Sequence, residues 1–171
     1  MSAADGLREY QLQLGERLRQ ASEQRLTRMR LGFEAAGRHW LISLEAIHGV
    51  VALPQLTPVP AVKPWLQGVA AVRGVVYACV DWAVFLGGGG ATQAKGRQML
   101  LSHPRDRAHI ALIIDQVPQM RSLDDMEALP PASTTEPDWV TGVWRDVEHR
   151  EWRLLDAPRL WRDARLLQPS A

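Results

Sequence analysis

The chain has 171 residues, 46% of them apolar and 23% charged, with a formal net charge of +1. That length suits one domain, or two small lobes sharing a core, and the near-neutral balance supplies no field of the kind that draws a protein to nucleic acid. The lone cysteine, Cys79, excludes an intramolecular disulfide, and no apolar run approaches the ~20 residues that a membrane-spanning helix needs.

The opening MSAADGLREYQLQLG has no apolar signal-peptide core, so a cytoplasmic protein without direct membrane insertion is expected. Residues 3–28 hold no proline and are rich in Gln, Glu, Arg and Leu, which predicts a helix within an N-terminal segment 1–28. Leu7, Tyr10, Leu14, Leu18 and Ala21 recur in steps of three and four and form one stripe. Ser2 and Asp5 suit a capping box. Two readings stand open: a helix packed on its own domain, or one that docks on a partner.

From Met29 the texture changes to short strands punctuated by glycine and proline. Leu31 and Phe33 alternate up to a turn at Gly37-Arg38, and HWLISL follows, which predicts a hairpin. Residues 47–53 form another apolar run, ended by Pro54. Pro58, Pro60 and Pro64 make the next segment an extended connection. Residues 68–72 and 75–80 read as strands joined at Arg73-Gly74, and Asp81 suits the N-terminus of one helical turn. The run GGGGATQAKG lacks the Gly-Lys-Ser/Thr ending of a phosphate loop and reads as a linker over 87–96. A second hairpin is predicted over 98–102 and 108–114, a short helix over 123–129, a third strand pair over 139–144 and 151–155, and a terminal helix over 157–168. This spacing predicts a mainly β fold of two small barrels side by side, the first over 29–86 and the second over 97–155.

Few residues invite catalysis. No histidine stands at a zinc spacing from another ligand on a predicted helix, although His103 and His109 flank one tight turn. Cys79 lies inside an apolar strand, where a thiol is inert packing. Asp81 and Asp115 each end a strand; both suit turn caps, and a small two-carboxylate hydrolase would need them to face one cleft. The seven tryptophans could be base-stacking platforms, but the first 30 residues set six arginines against four acids, a solvated helix face rather than a basic funnel. Neither a cofactor nor a metal is expected.

The stretches MRLGFEAAGRHWLISLEAIHGVV and LTPVPAVKPWLQGVAAVRGVVYACVDW resemble the CheW adaptor family of bacterial chemosensory systems. The shared pattern is an opening hairpin, a Thr-x-x-Pro connection, a Gly-Val-x-x-x-Arg-Gly hairpin and a Val-Asp strand end. It continues through HIALIIDQVPQM and WRLLDAPRLW and covers about residues 29–167. KPWLQGVAAVRG and the leading helix resemble the members tied to type IV pili and twitching motility; a flagellar adaptor is the alternative. The resemblance implies two five-stranded, SH3-like barrels around a common core and no enzymatic activity. It implies as partners the cytoplasmic tip of a methyl-accepting chemoreceptor and the regulatory domain of a CheA-like histidine kinase. It places Arg73 and Gly74 at a partner-binding hairpin, and His48, Gly49 and Val50 on a strand that usually carries Val-x-Glu. Gly49 replaces that Glu, and Ala71 stands where Asn is common. Gln98 and Met120 fall at positions expected to face the receptor. A guanidinium at a hairpin tip between core strands is positioned but unburied, as an interface arginine should be. The initial Met and the closing QPSA favour a free-standing protein rather than a fragment of a kinase.

Overall fold

The computed structural model describes residues 3–89, 95–130 and 135–171. α1 (Ala3–Thr27) leads into β1 (Met29–Ala35), β2 (Arg38–Ser43) and β3 (Ile47–Ala52). β4 (Leu66–Val72), β5 (Val75–Asp81) and the single turn α2 (Trp82–Phe85) follow, then β6 (Gln98–Ser102) and β7 (Ile110–Ile114). β8 (Gln119–Ser122), β9 (Glu127–Ala128), β10 (Val140–Arg145), β11 (Glu151–Leu155), α3 (Ala157–Leu160) and α4 (Ala164–Leu167) complete the chain.

Two-residue turns fix the first pairings. Ala36 and Gly37 join β1 to β2 with φ of 53° and 68°, and Arg73 and Gly74 join β4 to β5 with φ of 51° and 82°. Positive φ at both central positions is the hairpin geometry that matches strand twist. The strands assemble into two mixed sheets, ordered β8-β1-β2-β11-β10-β9 and β3-β6-β7-β5-β4. The pairs β2·β11 and β5·β7 are parallel. After β3 the chain swings across so that Thr57 pairs with Val69 of β4, linking the two edges of the five-stranded sheet. Gly68 permits that approach: with φ of 146°, a Cβ there would stand 2.5 Å from the Thr57 carbonyl oxygen.

The mainly β architecture, with helices at the two ends, is as expected, but the first sheet has six strands rather than five. The expected cut between barrels at 87–96 does not follow the pairing. The five-stranded sheet uses 47–114 and is nested inside the six-stranded one, built from 29–43 and 119–155. The reason is burial. Trp40, Leu41 and Ile42 of β2 are all buried, so that strand is covered on both faces, and its free edge is filled by β11 from the far end of the chain. Residues 87–96 therefore join two elements of one sheet. Positions 90–94 of that segment, Ser2 of the expected capping box and Pro131 lie outside the described residues.

One core lies between the sheets. Phe33, Trp40 and Ile42 from one meet Val80, Leu100, Leu112 and Ile114 from the other, with Trp82, Trp139 and Leu160 among them. The rings of Trp40, Trp82 and Trp139 stand 5.4–6.0 Å apart, within the range of favourable aromatic packing. The intervening residues point the other way. Met99, Leu101, Ala111 and Ile113 pack with Tyr77 and Cys79 inside the five-stranded barrel, and Leu41 packs with Leu123 and Trp152 inside the six-stranded one.

The ends depart from expectation in detail. The terminal helix is two single turns, because Asp163 caps α4 through the Arg165 N–H while accepting a 2.8 Å bond from the Trp139 indole. Residues 123–129 hold a 3-10 turn, capped by Ser122, and then β9 rather than one helix. α1 forms as predicted, but its apolar stripe is solvent-exposed: Leu7 is 60% and Leu18 61% accessible. Of the two readings of this helix, packing on its own barrels is excluded. An exposed helix contributes little to the fold it adjoins. Deleting residues 1–27 should therefore leave the urea midpoint of 28–171 within ~0.5 kcal/mol of the full chain; a loss of several kcal/mol would show that α1 belongs to the core.

Candidate functional site

The register of the five-stranded sheet decides which candidate residues share a surface. Ile47 lies opposite Ser102, Val72 opposite Val75, and Ala78 beside Ile110. The start of β3, the β6–β7 turn and the β4–β5 turn therefore stand at one rim. His48 and the Arg73-Gly74 tip belong to that rim. Gly49 and Val50 continue along β3, opposite Leu101 and Leu100. Gln98 pairs with Ala52 at the opposite rim, and Met120 lies on β8 of the other sheet, opposite Leu31. The seven positions are thus not one patch: His48, Arg73 and Gly74 share an end, Gln98 and Met120 do not.

Arg73 is exposed and has no ion pair or hydrogen bond from its guanidinium to any described residue. Just behind the tip, Ala71 pairs with Val76, and both are exposed, Val76 at 58%. Further along β5, Tyr77 and Cys79 are buried. The hairpin thus anchors itself in the barrel and holds a cation beside a small apolar patch. Such a pairing of guanidinium and apolar surface suits a protein interface. The left-handed backbone at Arg73 carries no extra signal, because Ala36 adopts the same conformation in the other hairpin.

Gly49 sits at a bulge in the β3·β6 pairing, and a Cβ added there meets nothing within 4 Å. Its backbone does not require glycine. The absence of the expected carboxylate is therefore a feature of the surface rather than of the fold.

The opposite rim holds a buried charge cluster that sequence reasoning missed. Arg97 Nη2 donates to Asp81 Oδ2 at 2.6 Å, and its Nε donates to Asp115 Oδ1 at 3.0 Å. The Arg97 side chain is 9% accessible and that of Asp81 0%. Asp81 also accepts from the Val84 N–H, capping α2. The two acids do face one group, but that group is a guanidinium which ties β5, β6 and β7 together. Both carboxylates are committed to it, as a structural clamp rather than as an acid–base pair. The signal was three charges at the ends of adjacent strands; it was hidden because Arg97 follows a glycine run.

The remaining candidates resolve similarly. Burial pushes the Cys79 thiol up to about 11, a backbone hydrogen bond from Ala70 only partly opposing it, so the nucleophilic thiolate is suppressed at neutral pH. His103 does not meet His109; its ring stands 5.6 Å from His48, and His109 lies against Tyr77. Among the described residues no group of three or more His, Cys, Asp or Glu is placed to hold a metal ion. All the tryptophans except Trp144 are buried, so they build the core rather than a stacking platform. Asp146 pins the β10–β11 turn. Burial alone would raise its pKa, but hydrogen bonds from the Trp152 indole and from the backbone and side chain of Arg150 bring it down to about 2. No helix among the described residues is long and apolar enough to cross a membrane.

A family model of the CheW-like domain matches residues 30–165, leaving α1 outside the match. Over 124 residues the chain is 32% identical to Protein PilI of Pseudomonas aeruginosa, covering 71% of this chain and 67% of that protein. The scaffolding protein TtCheW of Thermoanaerobacter tengcongensis superposes with a TM-score of 0.61 at 18% identity, over 76% of this chain and 84% of its own. At that identity the second likeness concerns the fold.

The clamp generates a direct expectation. Arg97→Leu leaves the fully buried Asp81 carboxylate unpaired and should cost ~3–5 kcal/mol in urea unfolding. Arg97→Lys should lose less, since it keeps the charge but not the fork that spans two carboxylates. A loss below ~1 kcal/mol for Arg97→Leu would show that the cluster does not hold the sheet.

Proposed function

The chain belongs to the family of CheW-like domains, and from that membership we propose that it is a non-catalytic scaffold linking the cytoplasmic tip of a methyl-accepting chemoreceptor to the regulatory domain of a CheA-like histidine kinase. The system it serves is one that governs type IV pili and twitching motility; the likeness to PilI supports that assignment over a flagellar one. A scaffold at such a place works in the cytoplasm and reaches the membrane only through its partners.

The observation that carries this reading is the Arg73 tip. A side chain that neither fills the core nor pairs within its own chain is free to be read by another protein. It stands on a two-residue hairpin whose strands are anchored in the barrel from Ala70 and Tyr77 inward. His48 shares its rim, and Val50 on the edge strand β3 and Val76 on β5, beside the other edge strand, add exposed apolar surface. Gly49, with open space around it, marks where this scaffold meets its receptor without the usual acidic side chain.

The test pairs stability with affinity. Arg73→Glu should leave the melting temperature unchanged, because surface substitutions stay within ~0.5 kcal/mol. The same change should weaken binding to the kinase regulatory domain or the receptor tip by ~30-fold, the equivalent of ~2 kcal/mol for a central interface arginine. Gly49→Glu should also melt normally while altering receptor affinity alone. Unchanged affinity of Arg73→Glu for both partners would sink the interface role.

A further inference from the structure

The rim that carries Arg73 continues into a second feature. Between α3, α4 and the β6–β7 turn lies a groove of about 330 Å³, whose lining includes Arg105, Asp106, Arg107, Pro158, Trp161, Arg162 and Leu167. Three arginines and one aspartate line it, in a chain whose overall charge is +1. Arg105 is partly engaged: its Nη2 donates to the Glu45 carbonyl, and its Nε stands 4.0 Å from Asp106. The guanidiniums of Arg107 and Arg162 have no hydrogen bond or ion pair to any described residue, and both residues are exposed. Neighbouring arginines that serve the fold are paired: Arg165 bonds Asp163, and Arg159 bonds the Asp138 carbonyl.

The apolar part of the lining is equally specific. Leu167 is 59% accessible, next to exposed Pro158. Trp161 is buried, and its indole N–H has no acceptor among the described residues. Like-charged groups held together cost free energy unless an anion neutralises them.

We propose that this groove is a docking site for an acidic segment of a partner protein, one that sets carboxylates against Arg107 and Arg162 and an apolar side chain against Leu167, Pro158 and Trp161. The basic lining repels a basic segment by the same field that attracts an acidic one and gives a neutral one no comparable attraction. The apolar wall favours a peptide over a simple anion, which would leave Leu167 in water. The site does not use Arg73 and does not rest on the identity of the receptor or the kinase. The β5·β7 register puts both at one end of the sheet, so a single partner can reach both.

The test uses the full chain and a fluorescein-labelled peptide, EELDELLDE, read by anisotropy, with the Lys-for-acid peptide KKLKKLLKK and inorganic phosphate as comparisons. The acidic peptide should bind, should weaken steeply with added salt, and should lose ~tenfold or more in affinity in the double variant Arg107→Glu/Arg162→Glu. A charge-matched control on α1, Arg8→Glu/Arg17→Glu, should change affinity by less than ~twofold, and all three proteins should melt alike. Three results would overturn the proposal: no binding of the acidic peptide, equal loss in the α1 control, or displacement by phosphate at the concentration at which phosphate alone binds. The first removes the site, the second reduces it to net charge, and the third reduces it to an anion pocket. Failure here with Arg73→Glu still defective in partner binding would leave the adaptor reading standing.

Discussion

The constraint on which the structure depends is that its central strands are buried on both faces. Leu100, Leu112 and Ile114 face the core between the sheets, while Met99, Leu101, Ala111 and Ile113 face the interior of the five-stranded barrel. β2 behaves in the same way, with Trp40 and Ile42 on one side and Leu41 on the other. A strand with no polar face cannot be left at the surface or divided between separate lobes. The two sheets must therefore share a core, and the strand that completes β2 must come from the C-terminal part of the chain. Removing any of the interlocking tryptophans would open a cavity common to both halves, so the halves hold each other in place.

That interlock leaves little of the sheet interior for chemistry and delegates recognition to the rims. One rim of the five-stranded sheet is closed by the Arg97 clamp, whose charges are spent within the chain. The other rim carries arginines without a partner among the described residues, Arg73 at its tip and Arg107 in the β6–β7 turn. Charge is thus buried and paired where the fold must be held, and exposed and unpaired where a partner can use it. Such a division suits a scaffold, whose work is to present two surfaces in fixed geometry rather than to transform a substrate.

The sequence announced the local structure well. Arg73-Gly74 marks its hairpin by residue type, the first hairpin turns at Ala36-Gly37, one residue before the expected Gly37-Arg38, the Pro58–Pro64 spacing marks an irregular connection, and Asp81 caps the turn expected of it. What it did not announce was long-range. The parallel pairing of His39 with Trp152 and of Ala78 with Ile110 leaves no local trace, so a cut at the glycine run was natural and misplaced. β8 escaped because Gln119–Ser122 is a polar edge strand with no alternation to read. The exposed position of Arg73 at a hairpin tip was legible because a charge between two apolar runs is anomalous. Arg97, Arg107 and Arg162 were not, because none interrupts a pair of apolar runs, and only the fold separates the paired from the unpaired.

The central claim is that this chain bridges two proteins. Light scattering on a size-exclusion column measures it most directly, with the full chain, a soluble receptor-tip fragment and the kinase regulatory domain, all taken from the chemosensory system of the same cell. The account predicts a species whose mass contains all three, and two partners that elute apart when the chain is omitted. Co-elution of the partners without the chain, or a chain that joins neither, would contradict it.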